Sequence, residues 1–224
     1  MQLIKYAKVN GRRIPVLISD DSEVLLAAKA AGRAVVGLQG SFEISAASYV
    51  VESLEDLDDE FLERVARRHL GLPWRIRETK RLVIRELFQG DFDELWENQV
   101  GSGFETPEKL EAYTRRQYAL YEFGFWALVE KESGELVGVA GLTLPREEER
   151  DTRITLTLTF PEGEGELELG YHIFPIYRGQ GYAKESGEAI LQYGREKIGA
   201  GRFLVRIKPQ NRASLAVAKR LGFR

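Results

Sequence analysis

Two strand-to-helix junctions near the C-terminal end limit what this chain can fold into. The first runs from a strand-like segment, Glu166 to Phe174, through Tyr177-Arg178-Gly179-Gln180-Gly181-Tyr182-Ala183 into a helical pattern that starts near Ala183. Two glycines in such a turn let successive backbone N–H groups point outward with no Cβ in the way. The following helix adds its own unpaired N–H groups and the positive end of its dipole. Together they make an anion site suited to a phosphate or diphosphate. Turns of this kind are common, so the string needs a second signal. Arg202 to Lys208 supplies it, reading as a short buried strand ended by Pro209-Gln210-Asn211. From Asn211-Arg212-Ala213-Ser214 a helix begins, with apolar positions at Leu215, Val217, Ala218 and Leu221 and Gly222 placed to end it.

The combination resembles the GCN5-related N-acetyltransferases (GNAT family). Arg178-x-x-Gly181-x-Ala183 is similar to that family's coenzyme A signature, and Asn211-x-x-Ser214 before Leu221-Gly222-Phe223 to its next block. The resemblance spans roughly Trp74 to Arg224 and speaks for family more than for substrate. It implies an α/β (α+β) fold: a mixed central sheet flanked by helices, here with a small N-terminal α/β unit.

Bulk properties narrow the class from the other side. The chain has 224 residues, enough for one large domain or a domain with a small companion. It contains no cysteine, which removes disulfides, thiolate metal sites and a Cys nucleophile and suits a cytoplasmic protein. A formal charge of −3 gives no reason to expect nucleic-acid binding. No apolar run approaches the ~20 residues that span a bilayer, and the start has no signal-peptide pattern. Two histidines, His69 and His172, leave little material for a metal centre, so no metal is expected.

Residues 1–72 read as a unit of their own and 73–224 as the second. In the first, Ile14 to Ser19, Ala34 to Leu38 and Tyr49 to Glu52 are strand-like, while Glu23 to Ala31 and Asp58 to Leu70 are helical. ISDDSEVLLAAKAAGRAVVGLQG and SYVVESLEDL are similar to the closing part of a haloacid-dehalogenase-type phosphatase domain. That chemistry needs an Asp-x-Asp nucleophile motif, and nothing before Ile14 provides one. Asp20 and Asp21 are therefore read as a helix cap and solvated loop rather than magnesium ligands. Gly71-Leu72-Pro73-Trp74 is the expected junction.

In the second unit the order is a strand over Lys80 to Glu86, a short helix from Asp91, and a helix from Thr106-Pro107 to about Tyr121. Strands over Phe125 to Glu130 and Leu136 to Leu144 follow, joined by a hairpin-like turn at Glu132-Ser133-Gly134-Glu135. Asp151 to Phe160 alternates and is expected to extend the sheet. The family usually adds one or two strands after the Gly-Phe pair. The strand Arg202 to Lys208 is therefore expected to carry an unpaired apolar edge unless a partner or the N-terminal unit covers it.

The resemblance also implies a site. Acetyl-CoA would be the cosubstrate, its pantetheine arm lying between two splayed parallel strands. Backbone groups of Tyr171, His172 and Ile173 would meet that arm, and one free N–H would face the thioester oxygen. The amides of Gly179, Gln180, Gly181, Tyr182 and Ala183 would hold the diphosphate, with Arg178 either adding charge or lying solvated. Asn211 has two compatible readings, helix cap and pantetheine contact, and Ser214 belongs to the same block. Gly170 either marks a bulge that opens the gap or accommodates a bulky neighbour.

An amine attacks a thioester only when neutral, so a base is needed. Glu168 is the first candidate and His172 the second, each against a reading as a solvated strand-face residue. Glu166, Glu168 and His172 share a face, but Glu168 and His172 lie ~13 Å apart along the strand, too far to act on one proton. Many relatives place an acidic tyrosine where this chain has Ala218. Ser214, Tyr177 and Tyr182 are the substitutes on offer, and the alanine resembles the branch that acetylates N-terminal amines of ribosomal proteins.

The resemblance implies an amine acceptor, either a protein N-terminus or a small cationic molecule. Trp96, Phe104, Tyr113 and Tyr118 are core residues or one wall of its cleft. The acidic stretches Glu147 to Asp151 and Glu162, Glu164, Glu166 and Glu168 are solvated turns or a field that attracts a cation. No membrane or nucleic-acid partner is expected, and a homodimer is one assembly open to the chain. The rival from another class is a non-catalytic acyl-CoA-binding or assembly module; phosphatase activity from the first unit is a third reading.

Overall fold

The structure, a computed structural model, describes residues 1–40, 47–101, 103–145 and 152–224. It divides into two units, Met1–Trp74 and Arg75–Arg224.

The first unit opens with a hairpin that pattern reading did not pick out. β1 (Gln2–Val9) and β2 (Arg12–Ser19) pair antiparallel around Asn10-Gly11, both at positive φ (48° and 77°). Asn-Gly is the pair that a two-residue turn with both centres left-handed selects. β3 (Ala34–Leu38) and β4 (Val50–Val51) then add in parallel, giving the order β1-β2-β3-β4. Helix α1 (Ser22–Ala30) is capped by Asp21, whose carboxylate accepts from the Glu23 amide at 2.8 Å and the Val24 amide at 3.4 Å. Helix α2 (Asp59–His69) is capped in the same way by Asp58 at 2.7 Å. Leu62, Val65 and Ala66 of α2 close over Val16, Ile18 and Val36 of the sheet.

The second unit is a seven-stranded sheet with the order β5-β6-β7-β8-β10-β11-β9. Its strands are β5 (Arg75–Glu78), β6 (Leu82–Glu86), β7 (Phe125–Glu130), β8 (Leu136–Thr143), β9 (Ile154–Thr159), β10 (Glu166–Ile173) and β11 (Arg202–Ile207). The alternation within β10 puts Leu167, Leu169 and Ile173 on one face, against Ala189 and Ile190 of helix α5 (Tyr182–Tyr193) in the larger core cluster. A second cluster holds Leu95 of helix α3 (Phe92–Glu97), Leu110 of helix α4 (Pro107–Tyr121) and Val139 of β8. Helix α6 (Arg212–Arg220) buries Ala218 in the larger cluster.

One expectation is met and two need correction. The segment read as Asp151 to Phe160 does extend the sheet, at the edge beyond β11. Its described strand, β9, pairs antiparallel along the whole of β11, from Arg202↔Thr159 to Ile207↔Ile154. The edge of β11 expected to stand open is therefore covered from within the same unit. Nor is there a bulge at Gly170: β10 pairs with β8 in unbroken register from Glu168↔Thr143 to Ile173↔Gly138. A Cβ on Gly170 would come within 2.8 Å of the Phe125 ring, so this glycine makes room for an aromatic neighbour.

Gly141 is the tightest point of this packing. A Cβ there would sit 2.0 Å from the Gly124 carbonyl oxygen and 2.5 Å from the Phe125 Cα, both backbone atoms that cannot step aside. Gly134, in the β7–β8 turn, has only its φ of +75° against substitution, with open space around it. Gly141→Ala is expected to cost about 3 kcal/mol and Gly134→Ala about 1 kcal/mol, read as the difference between their urea midpoints and that of the parent.

Candidate active site

The site is built on the strand that changes neighbours. β10 pairs in parallel with β11 only through Glu166↔Arg202, Leu167↔Phe203 and Glu168↔Leu204, although both strands continue beyond that point. Past Glu168 the stretch Leu169–Ile173 keeps β8 on one side and has no paired strand on the other among the described residues. Tyr171, His172 and Ile173 lie together on this open stretch.

At its end the chain turns through Pro175–Tyr177 and enters α5, with Gly179 and Gly181 both left-handed (φ 79° and 87°). Gly181 is the N-cap of α5 and offers no side chain, so nothing from the cap itself satisfies the amides of the first turn. Among the described residues, none of the amides of Gly179, Gln180, Gly181, Tyr182 and Ala183 donates to a backbone carbonyl; the first that do are those of Lys184 and Glu185, both to Gly181. A Cβ on Gly179 would meet nothing within 4 Å.

The side chains around the turn point elsewhere. Arg178 folds back, its Nε donating to the Ile173 carbonyl at 3.0 Å. The Tyr182 ring is buried and its hydroxyl donates to Glu130, whose carboxylate pushes the phenol pKa up to about 12. Tyr182 thus offers the turn its backbone N–H and no phenol. The Tyr177 hydroxyl is likewise committed, to Glu135 at 2.8 Å. Pattern reading missed Arg81 altogether. It donates through Nη1 to the Gln180 carbonyl at 2.9 Å and through Nε to Glu185 at 2.8 Å, and lies over the Tyr182 ring at 4.4 Å. No local signal marks a residue whose partners lie about a hundred positions along the chain.

Glu168 is the last β10 residue paired with β11, so it sits where the strands part. Its Oε2 accepts from Nε of Arg206 on β11 at 3.0 Å, and from Nη2 as well; the Arg206 and Glu168 side chains are only 11% and 16% exposed. Glu166 is also met from β11, by Arg202 at 2.8 Å. The acidic run is therefore half neutralised where it lines the sheet, which weakens it as a field for cations. The other acidic stretch, Glu147 to Asp151, lies outside the described residues.

His172 shares that face. Its Nε2 is buried without a hydrogen-bond partner among the described residues, and the Asn98 carbonyl approaches the ring. Burial, then the charge of Arg178, holds its pKa below 6.5 against the opposing pull of that carbonyl. On the opposite face Tyr171 points toward Ser214 of α6, its buried hydroxyl not closing a bond of normal geometry there. Asn211 serves as the α6 cap, its Oδ1 accepting from the Ser214 amide at 3.1 Å. Ala218 is buried.

Three of the four aromatics offered as an acceptor wall are core. Phe104, Tyr113 and Tyr118 stack edge to face in sequence, at 5.0 Å and 5.8 Å. The Tyr113 hydroxyl accepts from the Phe125 amide at 2.6 Å and the Tyr118 hydroxyl from the Leu87 amide at 3.0 Å. Burial pushes the Tyr113 phenol up to about 12, as expected for a structural hydroxyl. Trp96 alone is exposed, stacked on Phe92. A cleft of about 480 Å³ opens elsewhere, lined by Arg85, Asp91, Glu94, Glu135, Ile176 and Tyr177. It lies at the far end of β10 from Glu168, ~20 Å along the strand, so the two do not serve one amine.

The amide row and the one-sided strand fit a coenzyme A molecule: the amides of the turn have no backbone acceptor among the described residues, and β10 has no paired strand on one side past Glu168. Known proteins agree on the class. Residues 81–224 match the acetyltransferase (GNAT) domain family, and the chain belongs to it. Among its relatives, an uncharacterised N-acetyltransferase, YnaD of Bacillus subtilis, is 29% identical over 146 residues, 65% of this chain and 81% of that one. The uncharacterised YkkB of the same organism is 29% identical over 110 residues, and the chain spans 56% of that protein's length. A GnaT-family acetyltransferase of Bordetella pertussis superposes with a TM-score of 0.52 at 24% identity, over 66% of this chain and 87% of its own. A ribosomal-protein-S5-alanine acetyltransferase of Vibrio fischeri does so at 0.50 and 15% identity, over 67% and 82%. Residues 1–80, including the segment likened to a phosphatase, lie outside the family match.

Because the folded His172 ring resists protonation, the unfolded chain takes up a proton first as pH falls through about 6.5. His172 therefore costs no stability above that pH and progressively more below it. His172→Gln is expected to lose less stability than the parent between about pH 7.5 and pH 5.5, followed by urea denaturation across that range.

Proposed function

We propose that this protein is an acetyl-CoA-dependent N-acetyltransferase acting on a primary amine, either a protein N-terminus or a small cationic molecule. The observation that carries this reading is the parting of β10 from β11 directly before a turn with a row of free amides. Acetyl-CoA would bring an acyl carbon activated as a thioester. The amides of Gly179 to Ala183 hold its diphosphate, and the open edge at Tyr171, His172 and Ile173 takes the pantetheine arm. Asn211 keeps its Nδ2 donors for that arm while Oδ1 caps α6.

Glu168 is the proposed proton acceptor. Its place at the fork supports the role, and Arg206 fixes Oε2 and so orients the carboxylate. His172 is the second choice, kept neutral by burial. With Tyr177 and Tyr182 bound to carboxylates, the remaining proton donors for the departing thiolate are Ser214 and the adjacent Tyr171 hydroxyl.

A second reading, a non-catalytic acyl-CoA-binding module, draws on the buried Ala218 and the ion-paired Glu168. The two separate in one experiment. Released CoA thiol is followed with a panel of peptides bearing free α-amines and of small polyamines, while CoA affinity is measured by calorimetry. We expect turnover with at least one amine. In Glu168→Gln, kcat/KM is expected to fall by about 10²–10⁴-fold with CoA affinity retained. CoA binding with no turnover across the panel selects the module; no CoA binding removes both readings.

Asn211 supplies a further check. Aspartate caps a helix as well as asparagine but cannot donate a hydrogen bond. Asn211→Asp is expected to keep the parent's melting temperature while weakening CoA binding about tenfold, whereas Asn211→Ala also loses about 1 kcal/mol of stability.

A further inference from the structure

The contacts that tie the Thr79–Arg81 corner, between β5 and β6, to the first turn of α5 are denser than a surface brace requires. All four acceptor contacts of the Glu185 carboxylate run to that corner. Arg81 Nε and Nη2 meet Oε2 at 2.8 and 2.7 Å, while the Arg81 amide and the Thr79 hydroxyl meet Oε1 at 2.8 and 2.6 Å. Those hydrogen bonds outweigh the burial that would raise its pKa and keep the carboxyl ionised. The same guanidinium reaches the Gln180 carbonyl through Nη1, and Nη2 lies 3.5 Å from where a Cβ on Gly181 would stand.

Two physical consequences follow. A carboxylate in the first turn of a helix competes with an anionic ligand for the same positive end. Glu185 would repel a diphosphate unless its charge were drawn off, and Arg81 both neutralises it and holds it toward the β5–β6 corner. Moreover, all peptide bonds here are trans, so the Gly181 N–H points opposite to the Gln180 carbonyl. Pinning that carbonyl to Arg81 aims the N–H away from it, out of the turn.

We propose that Arg81 is a positioning residue for the diphosphate turn, setting the direction of its central amide and cancelling the Glu185 charge beside it. This rests on the coenzyme A reading above. The clamp also locates the turn relative to the sheet: Arg81 lies on the Tyr182 ring, and Tyr182 is held through its hydroxyl by Glu130 of β7.

The test uses Arg81→Gln, Arg81→Lys and the double variant Arg81→Gln/Glu185→Gln, with two acyl donors. Acetyl-CoA carries the diphosphate and acetyl-pantetheine does not. Arg81→Gln is expected to raise the KM for acetyl-CoA and the Kd for CoA about tenfold, with kcat nearly unchanged. Its kcat/KM for acetyl-pantetheine stays at the parent's value. The double variant recovers the part of the lost CoA affinity owed to the stray carboxylate, and not the part owed to the direction of the amide. Arg81→Lys keeps the charge but cannot span both acceptors, and is expected to fall between. Should Arg81→Gln fold poorly, the lysine variant carries the same comparison of donors. Equal losses with both donors, or CoA binding as tight as the parent's, would mean that Arg81 is only a brace and overturn the proposal. A parent protein that binds no CoA would overturn the coenzyme A reading itself, and this inference with it.

Discussion

The whole second unit turns on one interrupted ladder. β10 and β11 share three residue pairs and then separate, while each keeps a full partner on its other side, β8 for β10 and β9 for β11. Unpaired backbone groups away from water are expensive, so a sheet does not open without compensation. Here the compensation is partly internal. β9 removes the exposed edge that β11 would otherwise present, and Glu168 with Arg206 bridges the fork by an ion pair where the hydrogen bonds stop. The groups left over belong to Leu169–Ile173, the stretch that leads straight into the glycine turn.

Charge is arranged on the same principle. The unit is rich in carboxylates near the site, yet most meet a cation or a phenol: Glu166 with Arg202, Glu168 with Arg206, Glu185 with Arg81, Glu130 with the Tyr182 hydroxyl. What remains positive at the turn is the row of backbone amides and the Arg178 guanidinium. Arg178, the obvious candidate for a phosphate-binding cation, instead spends its Nε on the Ile173 carbonyl. A diphosphate held there, as proposed, would meet oriented amides more than a mobile side chain.

Much of this was legible in the sequence because it is local. The turn with Gly179 and Gly181, the Asn211 cap and the Thr106-Pro107 helix start are all decided by residues within a few positions of one another. The illegible parts are those decided across the fold. A strand such as Ile154–Thr159 announces its alternation but not its neighbour, so its place beside β11 could not be read. Gly170 carried two meanings that only the Phe125 ring could separate. Arg81 meets Gln180 and Glu185 from a distant corner, and Glu168 meets Arg206 across two strands far apart in sequence. The Asn10-Gly11 hairpin is different: its signal is local and was present in the chain, but the strand on its N-terminal side was overlooked.

The short parallel ladder also makes a seam. Elsewhere in this sheet, β7, β8 and β10 are held by long antiparallel registers, and β11 with β9 forms a second block joined to the first strand-to-strand by three rungs. Cooperative units in a protein open at different free energies, and those with the fewest shared hydrogen bonds open first. Amide hydrogen exchange would therefore divide this sheet into two blocks along β10 and β11, with breathing between them. The gap would then be a hinge whose width varies with time, and a molecule lodged in it would act as the missing rungs.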